Sequence, residues 1–251
     1  MKYLQALQRQ RVFDLAFAAS LTKNEQTAKS MLQSYKKAGV IKSVRQNLYV
    51  ALDLASGNSL AGRFEIGSNI TKDAYISHHS ALEFHGVANQ VFHQVTVTTN
   101  TRFCTFVYDD FSYERYSERI YSGVITPPLS PLVRVTDLER TVIDCLYDID
   151  LAGGLEEIIE ALTLIPTLNE RYLISYLKEY NQIYLWQKAG YVPVTSRSPF
   201  KSAIPFLTNA NHTFIIASKR WFHRMPLVST LNGNYMLLLI YLQLFLKEVT
   251  L

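Results

Sequence analysis

Residues 24–50 read NEQTAKSMLQSYKKAGVIKSVRQNLYV, and the fold is decided there. Ala28, Met31, Leu32 and Tyr35 recur at the spacing of a helix that buries one face. Gln26, Lys29, Ser30, Gln33, Lys36 and Lys37 fall outside that stripe. Asn24 is a natural N-cap, because its side-chain oxygen can accept a backbone N–H that the first turn leaves unpaired; Thr27 is an alternative start. The helix runs through Gly39 into two short strands, Val40–Val44 and Leu48–Val50, joined at Arg45-Gln46-Asn47. Asn tolerates positive φ, so Asn47 suits the tight turn. A Lys-rich amphipathic helix followed by a short hairpin is the sequence shape of a winged helix-turn-helix.

The residues upstream supply the helices this shape needs. Leu4 and Leu7 suggest a short first helix. Arg11–Ser20 is apolar at Val12, Phe13, Leu15, Ala16, Phe17 and Ala19, with Asp14 on the other face, and predicts a second. The helix after Asn24 is then the reader. In the usual docking the N-terminal part of that helix meets base edges in the major groove. Gln26, Thr27, Ser30 and Gln33 can hydrogen-bond to bases, while Lys29, Lys36 and Lys37 suit phosphates. Lys42, Arg45 and Gln46 complete the candidate DNA-binding set, with Arg45 at the wing tip reaching phosphate or the minor groove. A winged helix used only for protein contact is the alternative; a basic, amide-rich outer face favours DNA over it.

Charge is distributed to match. Residues 1–50 carry nine Lys or Arg against Asp14 and Glu25, whereas residues 51–160 carry seven basic and sixteen acidic residues. The net charge of +4 therefore hides a basic head on an acidic middle. A basic patch draws phosphate at long range without regard to base sequence. With 251 residues there is room for two modest domains. The two cysteines, Cys104 and Cys145, make no disulfide framework and no CxxC, which points to a reducing, cytoplasmic setting. The N-terminus has no signal-peptide pattern. Tyr235–Leu246 is apolar but falls short of the roughly 20 residues that span a bilayer, so no membrane partner is expected.

Ala51–Ser59 reads as a linker and Phe64–Thr71 as a helix. Ser77 can cap a helix over His78–His85 that Gly86 stops. His78, His79, His85 and Glu83 crowd this stretch, but without the spacing of a zinc motif; structural histidines are expected and no metal is assigned. Gln94–Thr99 alternates as a strand, with Thr101–Tyr108 expected as its hairpin partner and Phe111–Glu118 as a further strand. Pro127, Pro128 and Pro131 mark an extended passage or turn. A helix is expected to begin in Arg134–Asp144, where Thr136 and Glu139 form a capping box. Helices over Gly153–Leu164 and Asn169–Tyr180 follow. Asp137, Glu139 and Asp144 could be imagined as nuclease carboxylates, yet nothing completes such a site, so the chain reads as a non-enzyme with no cofactor.

Taken in order, these motifs resemble the AbiEi family, antitoxins of bacterial type IV toxin–antitoxin (abortive infection) systems. The match runs through Asn47-Leu48-Tyr49-Val50, then residues 73–86 (DAYISHHSALEFHG), Val95-Thr96-Val97-Thr98-Thr99, residues 135–144 (VTDLERTVID) and Ala152-Gly153-Gly154-Leu155-Glu156-Glu157, covering about residues 1–191. Where many members carry Gly at the wing, this chain has Asn47. The resemblance implies an α+β protein: a winged helix-turn-helix over 1–52 and a mixed α/β antitoxin domain with its core at 60–191. It implies a repressor that binds double-stranded operator DNA of its own operon, as two copies on inverted repeats, and that opposes a nucleotidyltransferase-like toxin. A DNA-binding regulator without toxin-neutralising activity is the alternative function.

The tail, 192–251, fits this family poorly. Asn181 to Lys247 contains no Asp or Glu, and binary patterning gives no consistent elements between 192 and 217. A frameshift would account for it: displaced codons across Ala203–Ile216 and Asn232–Glu248 can encode peptides resembling the family's C-terminus, and Ser218-Lys219-Arg220-Trp221-Phe222 resembles it undisplaced. The other reading is a diverged, genuine C-terminus with Tyr235–Leu246 as a core helix.

Overall fold

Helix α1 spans Leu4–Gln10, and Arg11, with φ at 58°, breaks it. The helix expected over Arg11–Ser20 does not form as one piece. Val12–Phe13 is instead strand β1, and α2 (Leu15–Thr22) begins only after Asp14, whose carboxylate accepts the Phe17 N–H at 2.7 Å. The left-handed turn at Arg11 and the pairing Val12↔Val50, Phe13↔Tyr49 satisfy the backbone that a continuous helix would have used. Then come α3 (Glu25–Lys37), β2 (Ile41–Arg45) and β3 (Leu48–Ala51), with the antiparallel order β1-β3-β2. Ala28, Leu32 and Tyr35 of the expected stripe are buried with Leu7, Phe13, Ala18, Val40 and Ile41; Met31 packs at the edge.

The computed structural model describes residues 2–191, and over them the chain is α+β. It divides into two units, 2–84 with 92–137 and 85–91 with 138–191. The N-terminal module thus shares a unit with the strands expected in a separate domain, and the segment expected as one core, 60–191, is split. The tail 192–251, with its frameshift reading and the apolar run Tyr235–Leu246, lies outside the described residues.

The rest of the first unit is a six-stranded mixed sheet, order β6-β7-β5-β4-β9-β8, flanked by α4 (Arg63–Ser68) and α5 (His78–Phe84). Its strands are β4 (Tyr75–Ile76), β5 (Gln94–Thr98), β6 (Phe106–Tyr108), β7 (Phe111–Tyr116), β8 (Val124–Ile125) and β9 (Val135–Thr136). Two expectations are corrected. Strand β6 pairs with β7, not with β5: Asp109 and Asp110, at φ 51° and 64°, make the two-residue turn of a β6–β7 hairpin, and β5 runs parallel to β7. Val135 and Thr136, read as the run-in to a helix, pair with β8 and β4.

Gly67 lets α4 lie close on this sheet. A Cβ there would stand 2.7 Å from the Ile76 Cδ1 and 3.2 Å from the Val95 Cγ1. Asp73 ties the end of β5 down, accepting the Asn100 N–H at 2.9 Å, the Thr101 N–H at 3.1 Å and the Thr101 hydroxyl at 2.8 Å. Burial opposes its ionisation, but hydrogen bonds from Thr99, Thr101 and Thr71 outweigh that and hold its carboxyl well below the usual range. The histidines are held by side chains: His78 Nδ1 lies 2.8 Å from the Ser77 hydroxyl, and His79 Nδ1 lies 3.0 Å from Glu83 Oε1 with its ring stacked on Phe92. Arg63 pairs with the same Glu83 carboxylate. Among the described residues no three His, Cys, Asp or Glu side chains are grouped to hold a metal ion.

The second unit is helical: α6 (Leu138–Tyr147), a 3-10 turn at Asp150–Ala152, α7 (Leu155–Leu164), α8 (Glu170–Tyr180) and α9 (Ile183–Tyr191). Asn169 caps α8, accepting the Arg171 N–H at 3.0 Å. Two of the carboxylates weighed as metal ligands have structural partners. Asp144 Oδ1 accepts the buried Arg140 Nε at 2.6 Å and the Tyr180 hydroxyl, and Glu139 accepts the Asn169 N–H at 2.7 Å. Among the described residues no helix is long and apolar enough to cross a membrane.

Candidate nucleic-acid interface

Asn24 sets where α3 starts. Its backbone is extended and its side chain accepts the Thr27 N–H at 2.9 Å. From that cap, 13 residues at 1.5 Å each give a rod of about 20 Å. At 3.6 residues per turn, Gln26, Ser30, Gln33 and Lys37 fall opposite the buried Ala28–Leu32–Tyr35 line. Lys29 and Lys36 flank them on one side and Thr27 on the other. All seven are exposed. The outer line can therefore offer two amides and a hydroxyl to base edges, with its own ammonium and the two beside it suited to phosphate. The termini suit the helix too, with Glu25 in the first turn and Lys36 and Lys37 in the last, each favourable to the macrodipole.

Local partners occupy part of this face. Lys29 Nζ pairs with Glu25 Oε1 at 2.6 Å; the Lys29 hydrogen bond and charge hold the exposed Glu25 carboxyl below its ordinary value. The Ser30 hydroxyl donates to the Gln26 carbonyl at 3.1 Å and the Thr27 hydroxyl to Asn24 Oδ1 at 3.3 Å. Such exposed bonds cost little to exchange for a ligand. Glu25 is not among the candidates read from sequence, though its i,i+4 spacing to Lys29 signals the pair. Nor is Lys23, exposed at φ 61° in the turn before α3.

The β2–β3 hairpin, expected as the wing, is placed differently. Asn47 has the expected positive φ, 60°, and its Oδ1 accepts the Leu15 N–H at 3.0 Å. Leu48 and Val50, with Val12 of β1, are buried in one cluster with Ile66 of α4 and Ile76, Val95, Val97 and Tyr113 of the six-stranded sheet, and Val44 packs against it. Arg45, expected to reach outward, turns inward. Its guanidinium lies 5.4 Å from the ring centroids of both Phe103 and Phe106, and its Nη1 is buried without a hydrogen-bond partner among the described residues. The cause is the pair of ring faces, which attract a cation and shield it from water. Lys42 is exposed with its Nζ 5.3 Å from the Tyr108 ring, and Gln46 is exposed. Seven of the ten sequence-read residues thus share the α3 face; Lys42 and Gln46 stand on the hairpin; Arg45, half-buried, lies against the two phenylalanine rings.

The described architecture is that of an α+β protein whose N-terminal module presents one polar, basic helix face. Among solved structures, the crystal structure of the RV2827C protein from Mycobacterium tuberculosis is similar to it, with a TM-score of 0.55 and 14% sequence identity, over 84% of this chain and 80% of that one. At that identity the likeness is one of fold. No protein-family model matches the chain, and no curated protein matches it significantly.

Proposed function

We propose that the chain is a DNA-binding antitoxin of the AbiEi kind. Its N-terminal module is a winged helix-turn-helix that docks α3 in the major groove of operator DNA and represses its own operon; the remainder opposes a nucleotidyltransferase-like toxin. The observation that carries the DNA reading is the α3 face, where Gln26, Ser30, Gln33 and Lys37 are exposed opposite a buried stripe with Lys29 and Lys36 alongside. The antitoxin role rests on the ordered sequence resemblance over residues 1–191. On this reading the protein is cytoplasmic, works without a cofactor, catalyses no reaction, and binds inverted repeats as two copies.

Footprinting on DNA upstream of the gene tests the first half, using the wild type and a Lys29→Ala, Lys36→Ala, Lys37→Ala triple variant. Removing one ammonium that neutralises a phosphate flattens the slope of log affinity against log salt by about 0.9. Protection that is salt-insensitive and unchanged in the triple variant rejects α3 as the DNA face. Co-expression with the neighbouring toxin gene tests the second half, with rescue of growth as the expected result. Intact footprinting without rescue leaves a DNA-binding regulator that neutralises nothing.

A further inference from the structure

We propose that Arg45 is a positioning residue: Phe103 and Phe106 clamp it so that it seats the wing on the sheet and is withheld from DNA. This rests on the DNA reading above and sharpens it, leaving α3 as the reading surface with Lys42 and Gln46 at its margin.

Three observations converge. The guanidinium is equidistant, at 5.4 Å, from two aromatic rings, one of them in the edge strand β6. Its Nη1 is buried with no acceptor among the described residues, so the Nη1–Nη2 end of the guanidinium is closed to a phosphate; bidentate pairing at that end needs both parallel N–H groups. The strands on either side of the turn are also anchored, Leu48 in the core beneath with Val44 packed against it, and Asn47 through the Leu15 N–H. A guanidinium suits this place better than an ammonium, because it is planar, weakly hydrated and stacks on ring faces. Lys42, the other hairpin cation, keeps its exposure over Tyr108, as a more strongly hydrated group should.

The test uses the full chain and a short mixed-sequence DNA duplex, and reads the slope of log affinity against log salt. Lys36→Ala serves as the reference and flattens the slope by about 0.9. Arg45→Met, which keeps the apolar packing and removes the charge, leaves the slope at the wild-type value. Phe103→Leu with Phe106→Leu opens the clamp and delivers Arg45 to phosphate, steepening the slope by about 0.9; adding Arg45→Met abolishes that gain. In Arg45→Ala, which removes the clamped group altogether, the backbone amides of 43–49 exchange hydrogen faster than in the wild type. Flattening by Arg45→Met equal to that of Lys36→Ala overturns the proposal, as does an unchanged slope in a folded double-leucine variant. If neither the wild type nor Lys36→Ala binds the duplex in a salt-dependent way, the DNA reading has failed; amide exchange in Arg45→Ala then decides the clamp alone, and unaltered exchange overturns it.

Discussion

The N-terminal module carries two cationic surfaces close together in sequence, and the fold uses them in opposite ways. On α3, Lys37 stands in water opposite a buried stripe, with Lys29 and Lys36 exposed on its flank. On the hairpin that follows, Arg45 lies against Phe103 and Phe106 with one nitrogen sealed from solvent, and Leu48 and Val50 of its second strand are core. A helix with one apolar stripe has to expose its other face. A hairpin's outer side is committed only when the rest of the chain folds over it. The sign of a charge is therefore a poor guide to its role until its neighbours are known.

Substitutions that separate these surfaces range from large effects to small. Leu48→Ala removes a buried side chain from beneath the hairpin and should cost about 2–5 kcal/mol in urea unfolding. A cost no greater than that of an exposed α3 lysine would show that the hairpin is not seated on the core. Gly67→Ala should cost about 1–3 kcal/mol by forcing α4 off Ile76 and Val95, without touching the α3 face; a neutral result would mean that the sheet beneath the hairpin yields easily. Asn24→Ala should cost about 1 kcal/mol by removing the acceptor of the Thr27 N–H, and should fray the N-terminal end of α3, which circular dichroism would register, and footprinting too if the proposed docking holds.

Asp73→Asn adds a pH signature at the exposed end of the sheet, beyond β5. The folded carboxyl is held below its ordinary value, so its stabilisation is complete above the unfolded value of about 3.9 and fades as pH falls towards the folded one. The difference in Tm between wild type and variant should be widest near neutrality and narrow below about pH 4; a constant difference would assign the loss to packing alone. Smallest of all, Lys36→Ala should shift stability by less than about 0.5 kcal/mol, since its side chain is exposed. A larger loss would mean that the α3 face is already committed within the protein.

Much of α3 is legible in sequence because its determinants are local. Asn24, the Ala28–Leu32–Tyr35 spacing and the positive φ of Asn47 lie within one stretch, and each has a mechanism that needs no tertiary partner. What escapes is non-local or too short. Val12 and Phe13 merge into an apolar run that scans as helix, and only the left-handed Arg11 and pairing with Tyr49 and Val50 make them a strand. The partner of β5 is hidden because the nearest strand in sequence looks like the natural mate, whereas Asp109-Asp110 closes a different hairpin. The place of Arg45 is hidden because the rings that hold it come much later in the chain, and Phe103 and Phe106 carry no sign of their target.

The chain also crosses between its two units more than once. Residues 85–91 belong with the helical unit, where Glu157 accepts the backbone N–H groups of Asn89 and Gln90, yet they are spelled out between two halves of the other unit. During synthesis neither unit has all its parts until the ribosome has passed residue 137. A deletion ending there strands a loop whose hydrogen-bond acceptor has been removed. Truncation is therefore a blunt way to assign activities to the two units, and point substitutions within the intact chain are the cleaner dissection.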